Sequence, residues 1–204
     1  MKTNYARIDA KELPNLLREI EVYRGTHVTR LAMKLMALTF VRTSELIGSK
    51  WCEFDIEAAR WDIPADRMKM RTPHIVPLAR QSLEVLDMLR GLTGHSEWLF
   101  PGDRDGAKPM SNNTILKALE RMGYKGTMTG HGFRGLASTI LHERGCVHDH
   151  IELQLAHAPR SAVSAAYNHA LYLEPRARMM QEWADFLEQT QRGAKILPFR
   201  DIVA

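Results

Sequence analysis

The stretch from residue 26 to residue 40 constrains the fold most, because it is apolar on nearly every side of a helix. Such a helix has no polar face to expose to solvent, so other elements must pack around it on all sides. The chain has 204 residues, of which 45% are hydrophobic and 25% are charged. That is enough for one domain with a sizeable core. We expect a single domain over residues 1–192, followed by a tail, 193–204.

Apolar residues recur at helical spacing through most of the remaining chain. The spacing predicts helices near residues 10–23, 43–47, 83–89, 111–122, 131–144, 149–157 and 175–187. Ser111 is an expected N-cap, and Asp149 with Glu152 has the pattern of a capping box. Three β-type runs separated by polar, turn-like residues predict strands at 51–54, 60–63 and 74–77. The predicted fold class is mainly α with a small antiparallel β-sheet of about three strands.

The bulk composition narrows the setting and the partners. Cys52 and Cys146 lie far apart and outside any metal-ligand spacing, which fits a reducing, cytoplasmic location. No apolar run is long enough for a membrane span, and residues 1–17 lack the apolar core of a secretory signal. The net charge of +4 is a modest basic excess, compatible with a polyanionic partner.

An arginine and a glutamate stand at a fixed corner of the predicted fold. Arg42 directly follows the buried helix and precedes the short helix 43–47, and Glu45 lies one turn further on. The planar fork of an arginine can bind two phosphate oxygens at once, and Glu45 could orient it from behind. The segment alone fits a structural ion pair equally well.

A histidine and a second arginine lie three residues apart at the start of a predicted helix. His131 and Arg134 are expected to share a polar surface there, since the apolar residues of this helix begin at Phe133. Free main-chain N–H groups and the positive end of the helix dipole favour an anion such as phosphate. Two solvated side chains would give the same spacing.

Two further positions could carry proton transfer and nucleophilic attack. Lys69 lies between predicted strands, where a lysine can donate a proton to a leaving alkoxide. Arg67 and Arg71 are rivals for a phosphate contact there, and an ordinary loop lysine is the alternative. Tyr167 lies ten residues after His157 and could act as a nucleophile beside a cationic pocket. The alternative is a half-buried core tyrosine.

Taken in chain order, these residues form a recognisable pattern. The segments that carry it are 40–46 (FVRTSEL), 67–70 (RMKM), 74–78 (HIVPL), 131–134 (HGFR), 152–157 (ELQLAH), 166–168 (AYN), 172–174 (YLE) and 179–184 (MMQEWA). Together they resemble the catalytic domain of tyrosine recombinases and, more narrowly, prophage and genomic-island integrases. The likeness runs from about residue 12 to about residue 190. It departs at Thr43, where proline is usual, and at Gly135, where a larger residue is usual.

The resemblance implies a DNA breaking-rejoining fold and a reaction without metal, ATP or cofactor. The reaction is site-specific recombination, which integrates or excises a prophage or other mobile element through a 3′-phosphotyrosyl intermediate. Two arginines would bind the phosphate oxygens, His131 would transfer the tyrosine proton, and a lysine would protonate the 5′-oxygen. A second histidine would bond to the phosphate, and a tyrosine would attack it. The implied catalytic residues are Arg42, Lys69, His131, Arg134, His157 and Tyr167, with Tyr172 and Tyr124 as fallback nucleophiles.

The same resemblance implies double-stranded DNA attachment sites as partners and a tetramer on synapsed DNA, with a monomer in isolation as the alternative. The protein is then expected in the cytoplasm at the nucleoid. Integrases of this kind usually carry N-terminal DNA-binding modules, for which this chain has no room, so a fragment or truncated product is expected. The tail 193–204 is expected to dock on a neighbouring protomer, to pack on its own domain, or to be disordered.

Three other functions remain open at this stage. A type IB topoisomerase would relax DNA with similar chemistry, and a non-catalytic DNA-binding module would tolerate the loss of Tyr167. A zinc hydrolase built on His148, His150 and His157 lacks a supporting ligand spacing.

Overall fold

A computed structural model describes residues 6–157 and 172–193. Within those ranges the protein is mainly helical with one small sheet, as the periodicity predicts. The helices are α1 (Leu13–Glu21), α2 (His27–Thr39), α3 (Thr43–Ile47), α4 (Arg80–Thr93), α5 (Asn113–Arg121), α6 (Gly130–Glu143), α7 (His148–Gln154) and α8 (Leu173–Arg192). No helix in the described ranges is both long and apolar enough to cross a membrane.

Helix α2 is the centre of the core, which confirms the expectation from its uniformly apolar sequence. It begins at Thr26, whose Oγ1 accepts a hydrogen bond from the main-chain N of Thr29 over 3.2 Å. Met33, Leu35 and Met36 are fully buried, although they point to different sides of the helix. Helices α1, α4, α5, α6 and α8 all pack against it.

The sheet has three antiparallel strands in the order β1 (Phe54–Asp55), β2 (Arg60–Ile63) and β3 (His74–Pro77). Trp61 pairs with Phe54 on one side and with Val76 on the other. The predictions for β2 and β3 are confirmed. The prediction of a strand over 51–54 is wrong for its first part.

Residues Trp51–Glu53 form a 3-10 turn instead of a strand. The main-chain N of Glu53 bonds back to Lys50 O over 3.0 Å, which is the bonding of a turn. The indole of Trp51 donates to Thr93 O at the end of α4 over 3.0 Å. The main-chain N of Trp51 donates to Glu97 O in the loop after α4 over 3.1 Å, so this group is not available to a longer strand.

Both predicted side-chain caps are wrong. Ser111 Oγ accepts from the N of Asn113 over 3.3 Å, but α5 begins after Asn112, which makes no side-chain cap bond. Asp149 lies inside the first turn of α7, which starts after Val147. A carboxylate in that first turn still interacts favourably with the helix dipole.

A close contact between the first residues of α6 and of α3 brings two distant segments of the chain together. Thr129 caps α6 by accepting from the N of Gly132 over 3.2 Å. A Cβ on Gly130 would lie 2.3 Å from the Oγ1 of Thr43, so only glycine allows this approach. The contact places the start of α6 beside Arg42, the residue that precedes α3.

Candidate active site

Arg42 is held in place from one side by the helix that follows it. Its Nη1 lies 2.5 Å from Glu45 Oε1, and its main-chain N donates to Glu45 Oε2 over 2.8 Å. Glu45 is 2% exposed, so this carboxylate is committed to Arg42 and has little contact with solvent. The Arg42 side chain keeps 23% of its surface exposed. The guanidinium is therefore oriented from behind and still accessible.

Arg134 is held by main-chain oxygens. Its Nη1 donates to Phe40 O over 2.9 Å, and its Nη2 donates to Leu155 O over 2.6 Å. Phe40 ends α2 in a left-handed conformation with φ of 40°, a geometry that costs about 1–3 kcal/mol in a non-glycine residue. Burial, and then repulsion from Arg42, lower the pKa of Arg134 to about 10. The side chain therefore stays charged at neutral pH.

The two guanidinium groups bond to consecutive main-chain oxygens. Arg42 Nη2 donates to Ala156 O over 3.1 Å, next to the Leu155 oxygen that holds Arg134. Ala156 adopts a left-handed φ of 48°. We call Arg42 and Arg134 the arginine pair. Two forked donors held this close form a site for an anion with several oxygens, such as a phosphate diester.

The expectation that Arg134 shares an exposed polar surface with His131 is wrong. Arg134 is only 3% exposed, whereas His131 is exposed at the start of α6. The long arginine side chain reaches from α6 to the ends of α2 and α7, where unpaired carbonyls lie at helix termini. Spacing along one helix did not reveal those acceptors.

Two histidines border the arginine pair. Burial, followed by the charges of Arg134 and Arg42, lowers the pKa of His131 below its ordinary value. His131 is therefore largely neutral at neutral pH and able to accept a proton. His157 Nδ1 lies 3.0 Å from Glu152 Oε2, so Nδ1 carries the proton and Nε2 is directed elsewhere. His157 also contributes to the lowered pKa of His131.

The structure brings together four of the six predicted residues: Arg42, His131, Arg134 and His157. Lys69 lies in the exposed turn 68–71 between β2 and β3, which we call the Lys69 turn. Within the described ranges, no contact links Lys69 to the arginine pair. Tyr167, the predicted nucleophile, lies outside the described residues.

A buried polar layer beneath the site was missed in the sequence. His74 on β3 is 8% exposed, and burial followed by the charge of Arg176 lowers its pKa to about 3. Arg176 is 1% exposed and donates to Ile75 O over 2.6 Å and to Gln154 Oε1 over 2.8 Å. One signal was present: Arg176 falls on the apolar stripe of α8, where a cation is unexpected.

The structure also bears on the alternatives. Burial and then a hydrogen bond with Glu19 raise the pKa of Tyr124 to about 12, which makes it a poor nucleophile. For the zinc hydrolase, one of the three suggested ligands, His148, instead contacts another histidine: its Nδ1 lies 2.9 Å from His142 Nε2. Among residues 6–157 and 172–193, no group of three or more His, Cys, Asp or Glu side chains is arranged to hold a metal ion.

Comparisons with known proteins identify the family to which the sequence is similar. A sequence model described as the phage integrase family matches residues 6–174. The integrase of Enterobacteria phage P4 is 44% identical over 204 residues, covering 92% of this chain and 46% of that protein. Prophage integrase IntA of Escherichia coli K12 is 38% identical over 196 residues, covering 96% and 48%. The chain thus spans about half the length of these curated relatives.

Two solved structures share the fold at low sequence identity. An integrase from mycobacterium phage Brujita has a TM-score of 0.65 at 18% identity, covering 100% of this chain and 63% of that one. A lambda integrase tetramer bound to a Holliday junction has a TM-score of 0.60 at 19% identity, covering 79% and 49%. These likenesses concern the arrangement of helices and strands.

Proposed function

Because the chain belongs to the phage integrase family, we propose that it is the catalytic part of a tyrosine recombinase. It cleaves and rejoins double-stranded DNA at attachment sites and so integrates or excises a mobile element. The observation that carries the proposal is the arginine pair, whose guanidinium groups are fixed on the consecutive oxygens of Leu155 and Ala156. A phosphate diester has two non-bridging oxygens, which match two forked donors.

In the proposed reaction, one phosphate ester is exchanged for another. The phenolic oxygen of Tyr167 attacks phosphorus, the bond from phosphorus to the 5′-oxygen breaks, and a 3′-phosphotyrosyl link forms. Neutral His131 takes the phenolic proton, and Lys69 gives a proton to the departing 5′-oxygen. Attack by a 5′-hydroxyl on the phosphotyrosyl link reverses these steps and rejoins the strand, so the ester bond energy is retained.

The arginine pair neutralises the charge of the five-coordinate phosphorus. Preorganised donors of this kind each contribute about 3–4 kcal/mol to stabilising a transition state. The carbonyls that hold Arg134, and the carboxylate that holds Arg42, fix both groups before DNA binds. His157 adds a donor from the C-terminal end of α7.

The nucleophile is tested with Tyr167→Phe on a suicide DNA substrate, in which the cleaved strand cannot be rejoined. We expect undiminished DNA binding and complete loss of the covalent adduct, seen as a missing shifted band on a denaturing gel. Tyr172→Phe is the matched control and retains the adduct. An adduct at full yield in Tyr167→Phe contradicts the assignment, and mapping of the labelled peptide then identifies the attacking residue.

For the assembly, we propose a tetramer on two synapsed attachment sites at the nucleoid. The lambda integrase is a tetramer on a Holliday junction, and the present fold resembles its fold. We further propose that the tail 193–204, with its apolar residues Ile196, Leu197 and Phe199, docks on a neighbouring protomer. Deletion of 193–204, of which 194–204 lie outside the described residues, is expected to abolish tetramers in sedimentation on DNA but to leave cleavage by single protomers. Unchanged assembly contradicts the docking proposal.

A further inference from the structure

A buried ion pair anchors the Lys69 turn to the body of the domain. Arg67 Nη1 bonds to Glu53 Oε2, and the two side chains are 16% and 6% exposed. The indole of Trp61 donates to the same carboxylate oxygen over 2.9 Å. Arg67 thus bonds across the sheet, and its guanidinium is not directed to solvent.

The second arm of the same guanidinium reaches α3. Arg67 Nη2 donates to the main-chain oxygen of Glu45. A Cβ on Gly48 would lie 3.2 Å from this Nη2, so the guanidinium packs closely on the end of α3. Glu45 therefore bonds to both arginines: its carboxylate holds Arg42, and its carbonyl holds Arg67.

The Lys69 turn has little else to fix its position. Met68 is 4% exposed and anchors the start of the turn in the core. Lys69 and Met70 are exposed, and Arg71 has a left-handed φ of 53°. The N of Arg71 closes the turn by bonding to Met68 O over 3.0 Å. Met68 ties the start of the turn to the core and the bond of Arg71 fixes its shape, whereas the bond from Arg67 to Glu45 links the turn directly to α3, next to Arg42.

We infer that Arg67 is a positioning residue, which holds the Lys69 turn against α3 so that Lys69 and Arg42 reach the same phosphate. The inference rests on the proposed function, in which Lys69 protonates the 5′-oxygen. A catalytic group displaced by about 1 Å can slow a reaction by about 10²-fold. A lysine on an exposed turn is subject to such a displacement once its anchor is removed.

The test compares two DNA substrates that differ in one atom at the scissile phosphate. In the first the leaving group is the 5′-oxygen, and in the second it is sulfur, whose thiolate leaves without a proton. We expect Arg67→Gln to cleave the oxygen substrate about 10²-fold more slowly and the sulfur substrate at close to the wild-type rate. Arg60→Gln is the matched control, since Arg60 lies on the same sheet but pairs with the half-exposed carboxylates of Asp55 and Asp62.

A second variant addresses folding. Arg67→Gln leaves the buried Glu53 carboxylate without its cation, which can destabilise the domain. The double variant Arg67→Gln/Glu53→Gln removes both charges together and also removes the bond to Glu45 O. We expect it to unfold in urea close to wild type and to show the same selective loss on the oxygen substrate.

The outcomes separate this inference from the proposed function. Equal loss on both substrates in the Arg67 variants, or no loss on either, overturns the inference. If sulfur rescues Lys69→Ala and not Arg67→Gln, the inference fails and the role of Lys69 stands. If sulfur does not rescue Lys69→Ala, the role of Lys69 fails and the inference fails with it.

A distance measurement tests the mechanical part without catalysis. Spin labels are placed at Ser44→Cys on α3 and Met70→Cys on the Lys69 turn, both exposed, with Cys52 and Cys146 replaced by serine. Arg67→Gln is expected to widen the distribution of distances between the labels, and Arg60→Gln is expected to leave it unchanged. An unchanged distribution in Arg67→Gln overturns the inference.

Discussion

The arginine pair and the Lys69 turn serve one proposed reaction but are built in opposite ways. Arg134 is buried and bonded to two main-chain oxygens, and Arg42 is bonded to a buried carboxylate. Lys69 is exposed on a turn whose link to α3 is the side chain of Arg67. The comparison relates construction to the proposed chemistry: the two proposed phosphate ligands are oriented by main-chain oxygens and a buried carboxylate, and the proposed proton donor lies on an exposed turn where water can reprotonate it.

Replacement of Arg134 is expected to have the largest effect. Arg134→Ala removes one of the two proposed phosphate ligands and takes away the bonds to Phe40 O and Leu155 O. We expect cleavage to fall about 10²–10³-fold and the free energy of unfolding to fall by about 1–3 kcal/mol. Adduct formation on suicide DNA and urea unfolding measure the two losses. Wild-type stability together with lost cleavage would contradict the idea that the same bonds support fold and site.

Lys69→Ala is expected to come next and to separate the two regions. The side chain is exposed, so the free energy of unfolding should stay within about 0.5 kcal/mol of wild type. Cleavage of ordinary DNA should fall about 10²-fold, the range of general acid catalysis. Lys108→Ala, on another exposed loop, is the matched control. A loss of stability equal to that of Arg134→Ala would contradict the distinction between core and turn.

Glu45→Gln probes the carboxylate behind Arg42 and is expected to act more weakly. The amide retains a hydrogen bond to the guanidinium but loses the charge that orients it. We expect about tenfold slower cleavage, since a charge-assisted bond is replaced by a neutral one. Glu97→Gln serves as control, because Glu97 is exposed and pairs with Lys50 away from the arginine pair. Unchanged cleavage would mean that Ala156 O alone orients Arg42.

The smallest effect at neutral pH is expected for His74→Gln, which concerns acid stability. Because burial lowers the pKa of His74 from 6.5 to about 3, the unfolded chain binds more protons than the folded chain between those values. The free energy of unfolding therefore falls as pH drops from 6.5 toward 3. His74→Gln should reduce this slope, and exposed His27→Gln should not. Urea unfolding at several pH values measures it, and equal slopes contradict the prediction.

The sequence predicted the elements well where the signal was local. Helix α2, helix α3 and strand β2 follow from the spacing of apolar residues. The predicted strand at 51–54 and the caps at Ser111 and Asp149 failed because distant contacts, or the start of a helix one or two residues away, decided those positions.

The sequence pointed to the side chains of the candidate site but not to the bonds that hold them. Arg42, His131, Arg134 and His157 come together in the structure, whereas the roles of Lys69 and Tyr167 stay predictions. The residue pattern gave no sign that Phe40, Leu155 and Ala156 supply oxygens to the arginine pair, because any residue has a carbonyl. It also left Arg67 as a rival for phosphate, since its partners Glu53 and Glu45 are distant in sequence.

The use of the Leu155 and Ala156 carbonyls has a consequence for how this protein can vary. Codon changes at these two positions alter side chains and leave the oxygens where they are, provided that the bend at residue 156 is kept. Much of what holds the arginine pair is therefore invisible to mutation scans that read only side-chain identity. Ester or thioamide replacement of single peptide units, introduced by semisynthesis, is the route by which those atoms can be probed.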